Sequence, residues 1–226
     1  MALNKNSNMI VGLDIGTSKV VCIVGKYNNE NKLEIVALGA YPSSGLKKGV
    51  VVNIDATTDA ISKAVEQAQS MIEEKIKSVF VGIAGNHIKS LNSQGAVGIR
   101  DKEVTSYDID RVIDSAQAVS IPSDQRVLHV LPQEFVIDGQ EVSLDPLGMS
   151  GVRLEAKVHL VTCANSAIKN IEKCIKNCGL GVDGFVLEQL ASSHSILSSD
   201  EKDLGVCMVD IGGGTTDIAI FNSGSI

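Results

Sequence analysis

The sequence contains no tryptophan, and only 3% of its 226 residues are aromatic. Its core must therefore be built from aliphatic side chains, which fits a hydrophobic content of 44%. Basic residues are scattered and outnumbered by acidic ones, so the net charge is −7 and nothing resembles the basic stripe of a nucleic-acid-binding protein. These values, with a mean hydropathy of +0.16, are typical of a soluble globular protein of one or two domains.

Long apolar segments are also lacking. No run approaches the roughly 20 residues that a membrane-spanning helix requires. The opening residues, MALNKNSNM, lack the apolar centre of a signal peptide. We therefore expect no membrane anchor in this stretch of chain.

The cysteines form no disulfide framework, because their number is odd and their spacing irregular. They are Cys22, Cys163, Cys174, Cys178 and Cys207. Four lie in apolar segments, which indicates reduced cytosolic thiols. Cys174 and Cys178 share one face of a predicted helix, where packing is favoured over a redox pair or a metal site. The four histidines share no local spacing that favours a metal site.

The hydrophobic pattern predicts a mixed α/β lobe interrupted by a small α+β insertion. Residues 9–41 predict three strands in a meander, and residues from Thr57 predict an amphipathic helix capped by Asp55, Thr57 or Thr58. Residues 86–108 are polar and predict a hairpin within the insertion. Further on, SSDEKD (198–203) predicts a solvated turn. For the lysine-rich LKKG (46–49), a solvated loop is favoured over a phosphate-binding segment.

One short pattern occurs near both ends of the chain. IVGLDIGTSKVVCIV (10–24) aligns with VCMVDIGGGTTDIAIF (206–221), so Asp14 matches Asp210 and Gly16 matches Gly212. Each copy predicts a β-hairpin with a carboxylate just before a small, polar turn. The repetition suggests two similar lobes that face each other.

Such a turn has the composition of a phosphate site. Glycines let the backbone approach a ligand, and successive amides form a concave nest for phosphate oxygens. An aspartate at each strand end suits Mg²⁺, which binds between carboxylates and phosphates. A lone DIGTS is usually only a bend, whereas three consecutive glycines in DIGGGTTD favour phosphate binding.

These motifs resemble the phosphate hairpins of the superfamily of actin, sugar kinases and DnaK-type chaperones. Within it, VGIAGNHI (81–88), LPQEFVIDGQ (131–140), LGMSGVRLEAKVHLVTC (147–163) and LASSHSIL (190–197) resemble the bacterial FtsA family. The resemblance implies an actin-like, ribonuclease H-like α/β lobe with a mixed sheet and flanking helices. It assigns 1–85 and 165–203 to that lobe, 86–164 to the inserted subdomain and 204–226 to the start of a second, incomplete lobe.

The resemblance also implies ATP and Mg²⁺ as ligands. Asp14 and Asp210 would face the metal, directly or through water, and Glu188 would orient water near it. The implied phosphate contacts are Gly16, Thr17, Ser18, Lys19, Gly212, Gly213, Gly214, Thr215 and Thr216. Such a protein is at most a slow ATPase.

The implied role is that of a cell-division adaptor. FtsA-like proteins link FtsZ polymers to the inner face of the cytoplasmic membrane at the division site, form filaments and recruit later septum proteins, here through the insertion. Most of the FtsZ-binding face and the membrane-binding helix would lie beyond Ile226. We therefore expect weak ATP binding by residues 1–226 alone, and self-association through the open edge of the last hairpin.

Two other functions in the superfamily are alternatives. A small-molecule kinase would need an aspartate in a substrate loop, and no such loop is recognisable. A chaperone-like ATPase would need a substrate-binding region, which is absent from these residues.

Overall fold

The computed structural model describes residues 9–142 and 145–226. They divide into two compact units. The first contains residues 9–87, 165–195 and 209–218, and the second contains residues 88–164, 196–208 and 219–226, apart from the two positions not described.

Thirteen strands and five helices are described, besides a short 3₁₀ turn at Arg100–Lys102. The strands are β1 (Met9–Ile15), β2 (Lys19–Tyr27), β3 (Leu33–Pro42), β4 (Leu46–Lys47), β5 (Val50–Val51), β6 (Ser78–Ile83), β7 (Ile88–Gly98), β8 (Gln125–Ile137), β9 (Gln140–Val142), β10 (Arg153–Ala164), β11 (Gly181–Leu187), β12 (Val206–Ile211) and β13 (Thr216–Phe221). The helices are α1 (Ile54–Gln69), α2 (Ser106–Gln117), α3 (Asn165–Asn177), α4 (Glu188–Ile196) and α5 (Ser199–Leu204).

The first unit is organised around a five-stranded mixed sheet in the order β11-β6-β1-β2-β3. The meander β1-β2-β3 is antiparallel, as predicted, whereas β6 runs parallel to both β1 and β11. Helix α1 packs on β2 and β3, and α3 packs on α1 and β11. Helix α1 packs closely because its buried residues are small: Ala60, Ala64 and Ala68 are fully buried.

The second unit contains a four-stranded antiparallel sheet in the order β7-β10-β8-β9. Helix α2 packs over β7 and β10, and Val112 and Ala116 on this helix join Leu154, Val158 and Leu160 in the core. The polar stretch 86–108 forms one long strand, β7, then a 3₁₀ turn and the start of α2, so the predicted hairpin is wrong. The partner of β7 is the distant β10, which local sequence does not indicate.

The last two strands, β12 and β13, form a separate two-stranded sheet. Met208, Ala219 and Phe221 are buried on one face. Val209, Ile211, Ile218 and Ile220 are exposed on this hairpin. The hairpin thus carries apolar residues that the described chain leaves uncovered.

Two helix starts differ from the predictions. Helix α1 begins at Ile54 because Asn53 caps it, its side chain accepting a hydrogen bond of 3.0 Å from the amide of Ala56. The predicted solvated turn at 198–203 is wrong, since α5 forms there. Ser198 and Glu201 bond each other's backbone amides in a capping box.

All five cysteines are free thiols. Cys174 on α3 and Cys178, just after the end of α3, donate to the carbonyl oxygens of Ile54 and Thr58 on α1, at 3.7 and 3.4 Å. Burial raises the pKa of Cys178 to about 11. These two thiols therefore act as packing groups between helices rather than as reactive ones.

Within residues 9–142 and 145–226, the helices are too short or too polar to cross a bilayer.

Candidate functional site

The first candidate turn joins β1 to β2 through Gly16, Thr17 and Ser18. The amide of Gly16 donates to the carbonyl oxygen of Lys19 at 3.0 Å, which closes the turn. A Cβ at Gly16 would lie 3.0 Å from that same oxygen, so glycine suits the tight bend. Asp14 lies near the end of β1, opposite Val21 on β2.

The second candidate turn repeats this geometry between β12 and β13. The amide of Gly212 donates to the carbonyl oxygen of Thr215 at 2.9 Å. Gly212 and Thr215 hold the same positions in this turn as Gly16 and Lys19 in the first, and Asp210 precedes it as Asp14 precedes the other. The sequence repeat is therefore also a structural repeat.

The two turns contact each other directly. A Cβ at Gly213 would lie 2.9 Å from the Cβ of Ser18, and one at Gly214 would lie 2.8 Å from the Oγ1 of Thr17. Only glycine permits this approach without displacing its neighbour. The structure thus brings together the residues predicted to bind phosphate from both turns.

Asp210 lies near enough to Asp14 for its charge to act on that carboxyl group. Burial raises the pKa of Asp14, Lys19 lowers it and the charge of Asp210 raises it further, although Asp14 keeps contact with solvent. Two carboxylates that repel each other favour a shared cation.

Glu188 joins the same group from the start of α4. Its side chain lies over Gly82 on β6, where a Cβ would stand 3.0 Å from the Cγ of Glu188. Burial raises the pKa of Glu188 to about 8, and the charges of Asp14, Asp210 and Asp217 act in the same direction. Without a cation, Glu188 is therefore mostly protonated at neutral pH.

A cavity of about 40 Å³ lies among these groups, lined in part by Gly16, Thr17, Gly82, Glu188 and Thr215. That volume holds an ion or a water molecule, whereas small-molecule sites usually measure about 300–1,000 Å³. A nucleotide therefore does not fit inside this cavity. It must bind on the open side of the turns, or the turns must separate to admit it.

A larger groove elsewhere, of about 560 Å³, shares no lining residue with this cavity. The groove contains the Lys26–Glu74 ion pair, 3.0 Å long, and neither predicted turn lines it. Its lining residues include neither a glycine turn nor an aspartate pair, so we assign the groove no function.

The donor set fits Mg²⁺ held jointly with phosphate. In the described chain, no three histidine, cysteine or acidic side chains are grouped closely enough to hold a metal by themselves. Mg²⁺ usually takes one or two carboxylates and completes its shell with phosphate oxygens and water. Asp14 and Asp210 match that requirement.

Sequence reasoning missed a third element at the site, the β4–β5 hairpin. The amide of Gly49 at its tip donates to Thr17 Oγ1 at 3.4 Å, and Gly49 and Leu46 help to line the cavity. The LKKG segment is therefore not merely a solvated loop. A turn signal was present in the Lys48-Gly49 pair before the apolar run 50–52, but the contact of Gly49 with Thr17 was not visible in the sequence.

Comparison with protein families identifies the inserted region. A model described as the SHS2 domain inserted in FTSA matches residues 85–162, against 86–164 predicted for the insertion.

Comparison with curated proteins gives matches along the whole chain. Cell division protein FtsA of Pseudomonas aeruginosa is 64% identical over 226 residues, which are 100% of this chain and 54% of that protein. Cell division protein FtsA of Escherichia coli K12 is 44% identical over 218 residues, 96% of this chain and 52% of that protein. The chain spans about half the length of these relatives.

Solved structures support the fold alone, since their sequences are distant. A chain of the PilM–PilN type IV pilus biogenesis complex matches with a TM-score of 0.66 and 15% identity, covering 93% of this chain and 57% of that one. The ethanolamine utilization protein EutJ of Carboxydothermus hydrogenoformans gives a TM-score of 0.51 and 14% identity, covering 96% and 48%. With the SHS2 match, these confirm the predicted actin-like α/β fold with an inserted subdomain.

Proposed function

We propose that this chain, which belongs to the FtsA family of cell division proteins, binds Mg-ATP at its two matched turns and serves division as an actin-like adaptor. The observation that carries the nucleotide proposal is the direct contact of Gly213 and Gly214 with Ser18 and Thr17. Two glycine turns that meet beside two carboxylates can bind a charged phosphate chain on their open side, or from both sides once they separate.

Each group at the site has a role in this proposal. The hydroxyls of Thr17, Ser18, Thr215 and Thr216 donate to phosphate oxygens, as do the amides of Gly213 and Gly214. The amides of Gly16 and Gly212 close their own turns, so these two glycines contribute close approach of the backbone instead. Lys19 adds a positive charge at the first turn. Asp14 and Asp210 hold Mg²⁺ directly or through water, and the bound ion offsets the charge of the phosphates.

Glu188 would orient water near the metal. Its carboxyl group ionises more readily once a bound cation offsets the charges of Asp14 and Asp210, so its protonation depends on the occupancy of the site. In this proposal ATP acts as a conformational switch, with slow hydrolysis at most.

At the level of the whole protein, the proposal follows the family. The protein would link FtsZ polymers to the inner face of the cytoplasmic membrane, assemble into filaments and recruit later division proteins through its inserted subdomain. The identity of 64% to a cell division protein supports this assignment.

Calorimetric titration of Mg-ATP into the full-length gene product that contains these residues tests the nucleotide proposal. Asp210→Ala should weaken Mg-ATP binding by about tenfold or more, because a charged ligand of the metal is lost. Asp114→Ala, on the exposed side of α2, is the matched control and should bind as wild type. Unchanged Mg-ATP binding by Asp210→Ala would show that the metal role is wrong.

Co-sedimentation of the same protein with FtsZ polymers, with and without lipid vesicles, tests the adaptor role. We expect the protein to pellet with FtsZ polymers and with lipid vesicles. Sustained ATP turnover in the presence of hexoses or glycerol would instead support a small-molecule kinase.

A further inference from the structure

The tip of the β4–β5 hairpin is held firmly at the first candidate turn. The amide of Gly49 donates to Thr17 Oγ1 at 3.4 Å. A Cβ at Gly49 would lie 2.9 Å from the carbonyl oxygen of Ala84, so the tip lies tightly against the end of β6. At the base of the hairpin, Val52 and Asn53 both donate to the carbonyl oxygen of Gly45. The position of the tip relative to Thr17 is therefore well defined.

The residue beside Gly49 has an unfavourable backbone conformation. Lys47 pairs with Val50, which leaves Lys48 and Gly49 as the two turn residues, with φ angles of +50° and +74°. A two-residue turn with both φ angles positive strongly prefers Asn, Asp or Gly, because a longer side chain is strained there. Lys48 accepts this strain although its side chain is exposed and contributes nothing to the core. Strain of this kind is concentrated at functional positions.

The charge balance of the site calls for another cation. The charges of Asp14, Asp210 and Asp217 act on Glu188, and the charge of Asp210 also acts on Asp14. A triphosphate adds further negative charge, and Lys19 is the cation that acts on Asp14. Lys48 forms no ion pair with any residue that the structure describes. Its flexible four-carbon stem ends in an ammonium group that binds phosphate as a point charge.

We infer that Lys48 contacts the phosphate chain of the bound nucleotide and that the Lys48–Gly49 tip is a third element of the phosphate site, beside the two glycine turns. In this arrangement the Gly49 amide occupies a lone pair of Thr17 Oγ1, which leaves the hydroxyl proton of Thr17 free to donate to a phosphate oxygen. The inference rests on the proposed binding of Mg-ATP.

Titration of Mg-ATP into the full-length gene product tests this assignment. Lys48→Asn removes the charge but suits the turn, so we expect binding to weaken about fivefold to tenfold. Lys48→Gly should weaken it equally while the melting temperature stays the same or rises, because glycine relieves the strain. Lys48→Arg keeps the charge and should retain most of the affinity.

Lys102 provides the matched control. It is also an exposed lysine with a positive φ, of +59°, and it lies in the second unit. Lys102→Asn and Lys102→Gly should change stability as the Lys48 variants do, yet leave Mg-ATP affinity unchanged.

The outcomes separate the two proposals. Wild-type protein that fails to bind Mg-ATP overturns the proposed function and this inference with it. Wild-type binding combined with unchanged affinity in Lys48→Asn and Lys48→Gly overturns the inference alone. An equal loss of affinity in Lys48→Arg, or in the Lys102 variants, would also overturn it, because the effect would not depend on the charge at position 48.

Discussion

Gly213 packs so closely against Ser18 that a Cβ added to the glycine would lie 2.9 Å from the Cβ of the serine. This pair joins two segments that are far apart in the sequence and belong to matched turns. The contact sets the spacing between the turns, and hence the room available to a phosphate chain.

Gly213→Ala should therefore push the turns apart. We expect a loss of about 1–3 kcal/mol in the docking of the second turn, because overpacking a close contact costs that much. Adding Ser18→Gly should restore the docking, since the two atoms nearest to a Cβ at 213 are the Cβ and Oγ of Ser18, at 2.9 and 3.3 Å. Hydrogen exchange of the amides in residues 209–218 measures the docking of the second turn. Gly12→Ala, with nothing within 4 Å of its added Cβ, is the control. Failure of Ser18→Gly to restore protection would contradict this account.

The raised pKa of Glu188 should make the stability of the protein depend on pH. Its pKa is raised from 4.5 to about 8 in the folded protein. Between these values the folded state holds a proton that the unfolded chain has released, so stability falls as the pH rises. Glu188→Gln cannot ionise and should be more stable than wild type by on the order of 2–4 kcal/mol at pH 9, with little difference near pH 4.

Urea unfolding in the presence of EDTA measures that difference, because a bound cation would stabilise the ionised form. Glu73→Gln, at an exposed site, should show no such trend. A gain of equal size at pH 4 and pH 9 would indicate a packing effect instead.

The second unit offers a test of helix packing with two glycines from one strand. On β7, a Cβ at Gly95 would clash with the backbone of Val112 and Ala116 on α2, whereas one at Gly98 meets nothing within 4 Å. Gly95→Ala should cost about 3 kcal/mol or more in stability and Gly98→Ala should be nearly neutral. Thermal unfolding compares them, and equal effects would show that α2 does not pack on Gly95.

The exposed face of the last hairpin should drive self-association of residues 1–226. Ile211 and Ile218 are 79% and 62% exposed there. Replacing both with lysine should shift the chain toward monomer in sedimentation velocity, because charge opposes apolar association. Val152→Lys, at a residue 65% exposed in another part of the chain, is the control and should leave association unchanged. A wild-type chain that is strictly monomeric would contradict the prediction.

The sequence predicted those parts of the fold that depend on local pattern. The meander from Met9, the amphipathic helix through Ala64 and the strand pair around Asp210 each carry their signal within a few residues. The capping box of Ser198 and Glu201 was equally local and would have identified α5. The single long strand at 88–98 was missed because its pairing residues lie more than fifty positions away.

The site was predicted only as far as its repeated motif extends. Asp14, Asp210 and the two turns follow from matched residues, and the structure places them together. Gly49 and Gly82 could not be inferred, since each owes its importance to one long-range contact, with Thr17 and Glu188 respectively. The predicted division of residues 204–226 into a separate lobe stays a prediction.

The pairing of Ile88 with Cys163 has an evolutionary consequence. The chain leaves for the SHS2 region and returns from it through neighbouring antiparallel strands, so both junctions lie side by side. A gene segment for residues 88–163 can therefore be exchanged as a cassette without reordering the strands of the five-stranded sheet. Recombination at such junctions would place different modules on a common α/β scaffold.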